Sequence, residues 1–83
     1  MEYRFSYDQM NTICGWIPEA KWSSEDREGK FTVDLTEEQR QIVFNQLTEI
    51  IEDNKIVEEE WPDDVDVIRS ETNHLLKIRD LVK

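Results

Sequence analysis

The spacing of apolar residues predicts a short strand followed by a helix at the start of the chain. Tyr3 and Phe5 alternate with polar neighbours, as in a strand with one buried face. The next apolar positions recur at helical spacing: Met10, Ile13, Cys14 and Ile17. Gly15 and Pro18 favour an end to this helix near residue 16, because both residues are poor helix formers.

Two similar junctions between a strand and a helix occur in the chain. Ser6 and Gln9 have the spacing of a capping box, in which each side chain binds the backbone N–H of the other residue. Thr36 and Gln39 repeat that spacing thirty residues later. The segments 5–9 and 35–39 therefore predict the same local structure, either by duplication or because two such junctions need the same residues.

A second strand is predicted from Lys30 to Leu35, with its apolar residues on one face. The segment before it, from Glu19 to Gly29, is polar and irregular, which favours a loop or hairpin tip. Its turn residues are Ser23, Ser24 and Gly29. Trp22 interrupts this segment, and we expect it and Trp16 to pack onto the core.

Two further helices complete the pattern. The second is predicted from Thr36 to Asp53 or Asn54, with a core-facing stripe of Val43, Phe44, Leu47, Ile50 and Ile51. The third is predicted from Pro62 or Asp63 to Val82. Its apolar residues cover roughly 220° of the helix, which is wide for a helix on one side of a small core. Such a helix is either sandwiched between other elements or binds a second subunit.

These elements predict a small α+β domain with two short strands and three helices. The alternative is a three-helix domain with a marginal hairpin. Because each strand precedes a helix, the second and third helices are expected on one face of the sheet. The 83 residues are enough for a single domain over 1–83.

Cysteine use and hydropathy favour a cytoplasmic protein outside the membrane. Cys14 is the only cysteine of the chain, so no disulfide can form within it. Residues 1–5 lack the apolar run of a signal peptide. No segment approaches the roughly 20 apolar residues of a membrane-spanning helix.

Negative charge is concentrated in the middle of the chain. Residues 34–66 hold twelve acids and only Arg40 and Lys55 as bases, which accounts for the whole net charge of −10. This charge exceeds the magnitude of roughly 2–8 that is sufficient to keep a small domain soluble. Direct binding of nucleic acid is not expected, because the phosphates would be repelled.

The acids of the second helix are predicted to share its outer face and to continue into the following segment. The expected partner-binding residues are Glu38, Glu49, Glu52, Asp53, Glu58, Glu59, Glu60, Trp61, Asp63, Asp64 and Asp66. Trp61 is either an exposed interface anchor among steering charges or a core residue beside Val57. The acids themselves are either a solvated surface or a binding surface for a basic protein.

Residues with catalytic or metal-binding chemistry occur in no recognisable motif. Cys14 and His74 are the only nucleophile and base of suitable types, and Cys14 is expected in the core. Glu71 and His74 have the Glu-x-x-His spacing of di-iron helices, but one such motif needs partners from other helices. Counting from Asp64, the positions that an EF-hand gives to glycine and glutamate hold Arg69 and Leu75. No catalytic residue, cofactor or metal is therefore expected.

Three functions follow from these patterns. The first is a non-catalytic module that engages and inhibits or regulates a basic protein, such as a nucleic-acid-binding enzyme, as a nucleic-acid mimic or immunity-type protein would. The second is a homodimer or larger oligomer joined through the third helix by Leu76, Ile78 and Leu81. The third is a metal-dependent enzyme built on Glu71 and His74.

Overall fold

The elements of the fold form an α+β domain, as the sequence predicts. A computed structural model describes residues 1–23 and 27–83. In chain order the elements are β1 (Glu2–Phe5), α1 (Tyr7–Trp16), β2 (Lys21–Ser23), β3 (Phe31–Asp34), α2 (Glu37–Glu60), a 3₁₀ turn (Pro62–Asp64) and α3 (Val65–Leu81). The turn predicted at Ser24 lies outside the described residues.

Both predicted capping boxes are present. The Ser6 hydroxyl accepts a hydrogen bond from the Gln9 amide at 3.3 Å, and the Gln9 side chain accepts one from the Ser6 amide at 2.9 Å. Thr36 and Gln39 make the same reciprocal pair at 3.1 and 3.0 Å. Each capping box provides side-chain acceptors for two backbone N–H groups at the start of a helix. These N–H groups have no hydrogen-bond partner within the helix itself.

The sheet has three antiparallel strands in the order β1-β3-β2. β3 is central, and Tyr3 and Trp22 both lie opposite Val33 in the register. The strand β2 is an addition to the two predicted strands. It is only three residues long and has no alternating pattern, so its existence depends on pairing with β3. Gly29 precedes β3 with a φ of 76°, a conformation that favours glycine.

One hydrophobic core joins a face of the sheet to all three helices. It includes Phe5, Val33 and Leu35 from the sheet segments and Ile13 from α1. The helical hairpin of α2 and α3 contributes the remaining large side chains: Val43, Leu47, Ile51, Leu75, Ile78 and Val82. Residues of the opposite sheet face, such as Glu2 and Arg4, are exposed.

The second helix is longer than the sequence predicts. It continues past Asn54 to Glu60 and has 24 residues, which span about 36 Å. The longest dimension of the whole molecule is 39 Å. Pro62 determines the end of the helix, because a proline disfavours helical backbone in the residue before it, here Trp61 with φ −128° and ψ 68°.

The width of the apolar surface on α3 is explained in part by neighbours on two sides. α3 packs along α2, where Arg40 Nη1 donates to the carbonyl oxygen of Val82 at 3.0 Å. On another side His74 Nε2 lies 3.2 Å from Thr12 Oγ1 of α1. α3 therefore contacts α1 as well as α2.

Trp22 does not pack into the core, contrary to the prediction. It lies on the edge strand β2, is exposed, and makes an edge-on contact with Phe31 at a centroid distance of 6.0 Å. An edge strand has a neighbour on one side only, so a large side chain there keeps much of its surface in water. Trp16 is partly buried against the core, as expected.

No helix among the described residues is both long enough and apolar enough to cross a membrane.

Candidate functional site

The acidic face of α2 consists of four exposed carboxylates on the side away from the core. On a helical wheel they lie within roughly 100° of one another. They are Glu38, Glu49, Glu52 and Asp53. The core side chains Val43, Leu47 and Ile51 occupy the opposite side. The predicted segregation of acids and core residues on this helix is therefore present in the structure.

Beyond the core, α2 and α3 continue as a hairpin tip, which comprises residues 52–74. The structure describes this stretch completely, and none of its side chains is buried. The last buried residue of α2 is Ile51 and the first of α3 is Leu75. The tip holds nine carboxylates and two bases, a net charge of −7. Most of the charge of the molecule therefore lies where its helices extend past the core.

Polar contacts join the two helices within the tip. Asn54 Nδ2 donates to Thr72 Oγ1 at 3.1 Å, and Thr72 Oγ1 donates to the carbonyl oxygen of Ile68 at 2.9 Å. Further out, Arg69 Nε lies 3.6 Å from Glu58 Oε1. These contacts align the helices but exclude little apolar surface from water.

Glu58 differs from the other predicted partner-binding acids. It is half-buried and faces α3, where it forms the ion pair with Arg69. Its charge is therefore partly neutralised within the chain.

Nine of the predicted acids are exposed and have no ion-pair partner in the part of the chain that the structure describes. They are Glu38, Glu49, Glu52, Asp53, Glu59, Glu60, Asp63, Asp64 and Asp66. By contrast, Glu37 at the start of α2 binds Arg40, and this hydrogen bond holds the pKa of the Glu37 carboxyl below its usual range. The nine unpaired carboxylates create a local negative potential that favours a cationic partner.

Trp61 is exposed, so it does not pack into the core beside Val57. Its side chain keeps 61% of its surface accessible. The Trp61 amide donates to the Val57 carbonyl at 2.8 Å, so Trp61 continues the backbone hydrogen bonding of α2 by one residue. It lies between Glu60 and the acidic turn Pro62–Asp64.

Two exposed isoleucines were missed in the prediction of the acidic face. Ile42 and Ile56 lie on the same side of α2 as Glu49, and Ile56 keeps 55% of its surface accessible. The helical wheel contains this signal, because neither residue falls on the core stripe. The acidic face therefore offers both charge and apolar contact area.

The three residues predicted for a subunit interface have different environments. Ile78 has no accessible surface, because it packs in the core of its own chain, and so it cannot contact a second copy. Leu76 is partly buried against the core, and Leu81 is exposed. The assignment of Ile78 to a subunit interface was wrong, since the wheel cannot tell a core residue from an interface residue.

The candidate nucleophile and metal ligands are not brought together. Cys14 is partly buried, and burial raises the pKa of its thiol, which disfavours the reactive thiolate. His74 is directed to Thr12, and Glu71 is exposed. Across residues 1–23 and 27–83 no group of three or more His, Cys, Asp or Glu side chains is placed to hold a metal ion.

The chain matches no known family profile, no curated protein and no solved structure.

Proposed function

We propose that this protein is a non-catalytic binding module that engages a basic protein through the acidic face of α2 and the hairpin tip. The observation that carries the proposal is the set of nine exposed carboxylates without ion-pair partners on these two surfaces. Such a surface attracts a cationic partner over several ångströms and accelerates association.

The partner class proposed is a nucleic-acid-binding protein. Carboxylates at i, i+3 and i+4 on a helix are about 5–6 Å apart. Glu49, Glu52 and Asp53 have this spacing on α2. A row of such charges presents repeated negative charge along one line, as a phosphate backbone does, so it suits a groove that ordinarily holds nucleic acid. Occupying that groove would inhibit or regulate the partner.

The test is capture of the partner from the native cell at low salt with three forms of the protein. The first is wild type and the second is the neutralised variant Glu49→Gln/Glu52→Gln/Asp53→Asn. The third is a matched control with the same charge change elsewhere, Glu2→Gln/Asp8→Asn/Glu19→Gln, at exposed positions outside α2 and the tip.

The expected result is a nucleic-acid-binding protein that the wild type and the matched control retain and the neutralised variant loses. Added duplex DNA or RNA of the kind that the partner binds should displace the module. Retention by all three forms, or no displacement by nucleic acid, would contradict the proposal.

A further inference from the structure

The core-facing side of α2 continues into the hairpin tip and becomes exposed there. Val43, Ile50 and Val57 are seven residues apart and Trp61 follows Val57 by four, so all lie within roughly 40° on the wheel. Val43 is buried, Ile50 and Val57 are partly buried, and Trp61 is 61% exposed. These α2 side chains therefore point in the same direction, but the elements that cover Val43 do not extend as far as Trp61.

α3 shows the same progression on the side facing α1. Ile78, His74 and Val67 lie within roughly 40° of one another on the wheel. Ile78 is buried, His74 is half-buried against Thr12 of α1, and Val67 is 72% exposed. Ile68, next to Val67, is partly buried. We call Val57, Trp61, Val67 and Ile68 the apolar shelf.

Carboxylates surround the apolar shelf, and the bases of the tip lie on the other side. Asp53 and Glu60 flank it on α2, and Glu71 follows Val67 by one turn of α3. Asp63 and Asp64 follow Trp61 after the intervening Pro62. Lys55 and Arg69, the two bases of the tip, are each about 160° around their helix from Val57 and Val67.

We propose that the apolar shelf is the docking site for a basic amphipathic helix of the partner. Apolar residues of that helix would cover Trp61 and Val67, while its lysines and arginines would face the surrounding carboxylates. Exposed apolar side chains on two adjacent helices suit the apolar face of a third helix, and tryptophan is enriched among residues that anchor interfaces. This inference rests on the proposed function and adds a contact of defined chemistry to it.

Charge complementarity selects this occupant over the alternatives. Nucleic acid and anionic lipid carry negative charge, which the carboxylates around the shelf repel. A second copy of the chain would bring an identical tip of net charge −7 against the first. Only a partner that combines apolar and cationic side chains can contact both the apolar shelf and the carboxylates around it.

The test uses two synthetic peptides of leucine and lysine, about 18 residues long, which is five helical turns. In the amphipathic peptide the leucines occur at i, i+3, i+4 and i+7, and in the scrambled peptide the same leucines are spread around the helix. Binding to the full chain is measured by titration calorimetry. The variants are Trp61→Ser/Val67→Ser on the shelf and Trp22→Ser as a matched control. Trp22 is a comparably exposed tryptophan on the edge strand β2, outside the shelf and the acidic face.

Wild type and Trp22→Ser are expected to bind the amphipathic peptide at least about tenfold more tightly than the scrambled one. The shelf variant should lose this preference while still binding both peptides through its charge, with an unchanged circular dichroism spectrum. If the preference persists in the shelf variant or is absent in wild type, the shelf proposal is overturned. The proposal that the acidic face and the tip bind a basic protein is not changed by that result. If neither peptide binds wild type, the proposed function fails as well.

A dimer of the free wild-type protein that dissociates in the shelf variant, detected by sedimentation, would show that a second copy occupies the shelf and would also overturn the proposal.

Discussion

Arg40 links the start of α2 to the end of α3 through the backbone of Val82. Its Nη1 donates to the Val82 carbonyl oxygen at 3.0 Å, and its Nε donates to the Glu37 carboxylate at 3.0 and 3.1 Å. The Arg40 side chain is only 19% exposed, and its contact with Val82 is partly shielded from solvent, whereas the Glu37 carboxylate is exposed. The guanidinium thus donates to a carbonyl oxygen at the end of α3 that accepts no hydrogen bond from within the helix.

Arg40→Met is expected to lower the free energy of unfolding by more than Arg69→Met does, because it removes the hydrogen bond from a charged donor to the Val82 carbonyl oxygen. Urea unfolding followed by circular dichroism measures this. Arg69→Met is the matched control, since Arg69 is exposed in a 3.6 Å ion pair with Glu58. Its loss should cost about 1 kcal/mol or less. Equal effects of the two substitutions would show that the Val82 contact contributes nothing.

The contribution of Glu37 to stability should depend on pH. The hydrogen bond from Arg40 lowers the pKa of Glu37 in the folded state, so the charged carboxylate stabilises the fold at neutral pH. This contribution is fully present above the ordinary glutamate pKa of about 4.3 and is lost as pH falls through the lower folded value. Wild type should therefore be more stable than Glu37→Gln above about pH 5.5, and the difference should shrink below about pH 4. A difference that stays constant down to pH 3 would contradict the assignment.

Ile78 and Leu81 test the distinction between core and surface on α3. Ile78→Ala should lower the free energy of unfolding by about 2–5 kcal/mol, because it leaves a cavity in the core. Leu81→Ala should cost less than about 1 kcal/mol, since Leu81 is exposed. Thermal and urea unfolding of both variants provide the comparison. A larger effect for Leu81 would mean that its side chain is covered by a second subunit.

The hairpin tip should open more readily than the rest of the two helices. Amides of residues 52–74 lie on a segment without buried side chains, whereas residues 43–51 and 75–82 pack in the core. Local opening is easiest where few apolar contacts are lost. Native-state hydrogen exchange should give protection factors at least about tenfold lower in the tip. Uniform protection along α2 would contradict this account.

Local signals in the sequence predicted the starts of α1 and α2 and the faces of α2. Ser6 and Thr36 form their capping boxes with residues three positions away, so no tertiary information was needed. The strand Lys21–Ser23 was missed because it is stabilised by pairing with Thr32–Asp34, a partner that local spacing cannot reveal.

The exposed positions of the tip could not be predicted for a related reason. A helical wheel shows the direction in which Trp61, Val67 or Ile78 points, but it does not show where the covering elements end. Because α2 extends to Glu60, Val57 and Trp61 lie beyond the last buried residue of the helix, Ile51. The acidic face itself could be predicted, because charge segregation on one helix is a property of the sequence alone.

The most direct test of the central claim is the salt dependence of binding to the captured partner. Affinity of wild type and of the matched control should fall at least about tenfold between roughly 50 and 300 mM NaCl, since exposed charges are screened over this range. Glu49→Gln/Glu52→Gln/Asp53→Asn should bind more weakly at low salt and show a shallower dependence. An affinity that is the same at both salt concentrations, or equal for all three forms, would contradict the account.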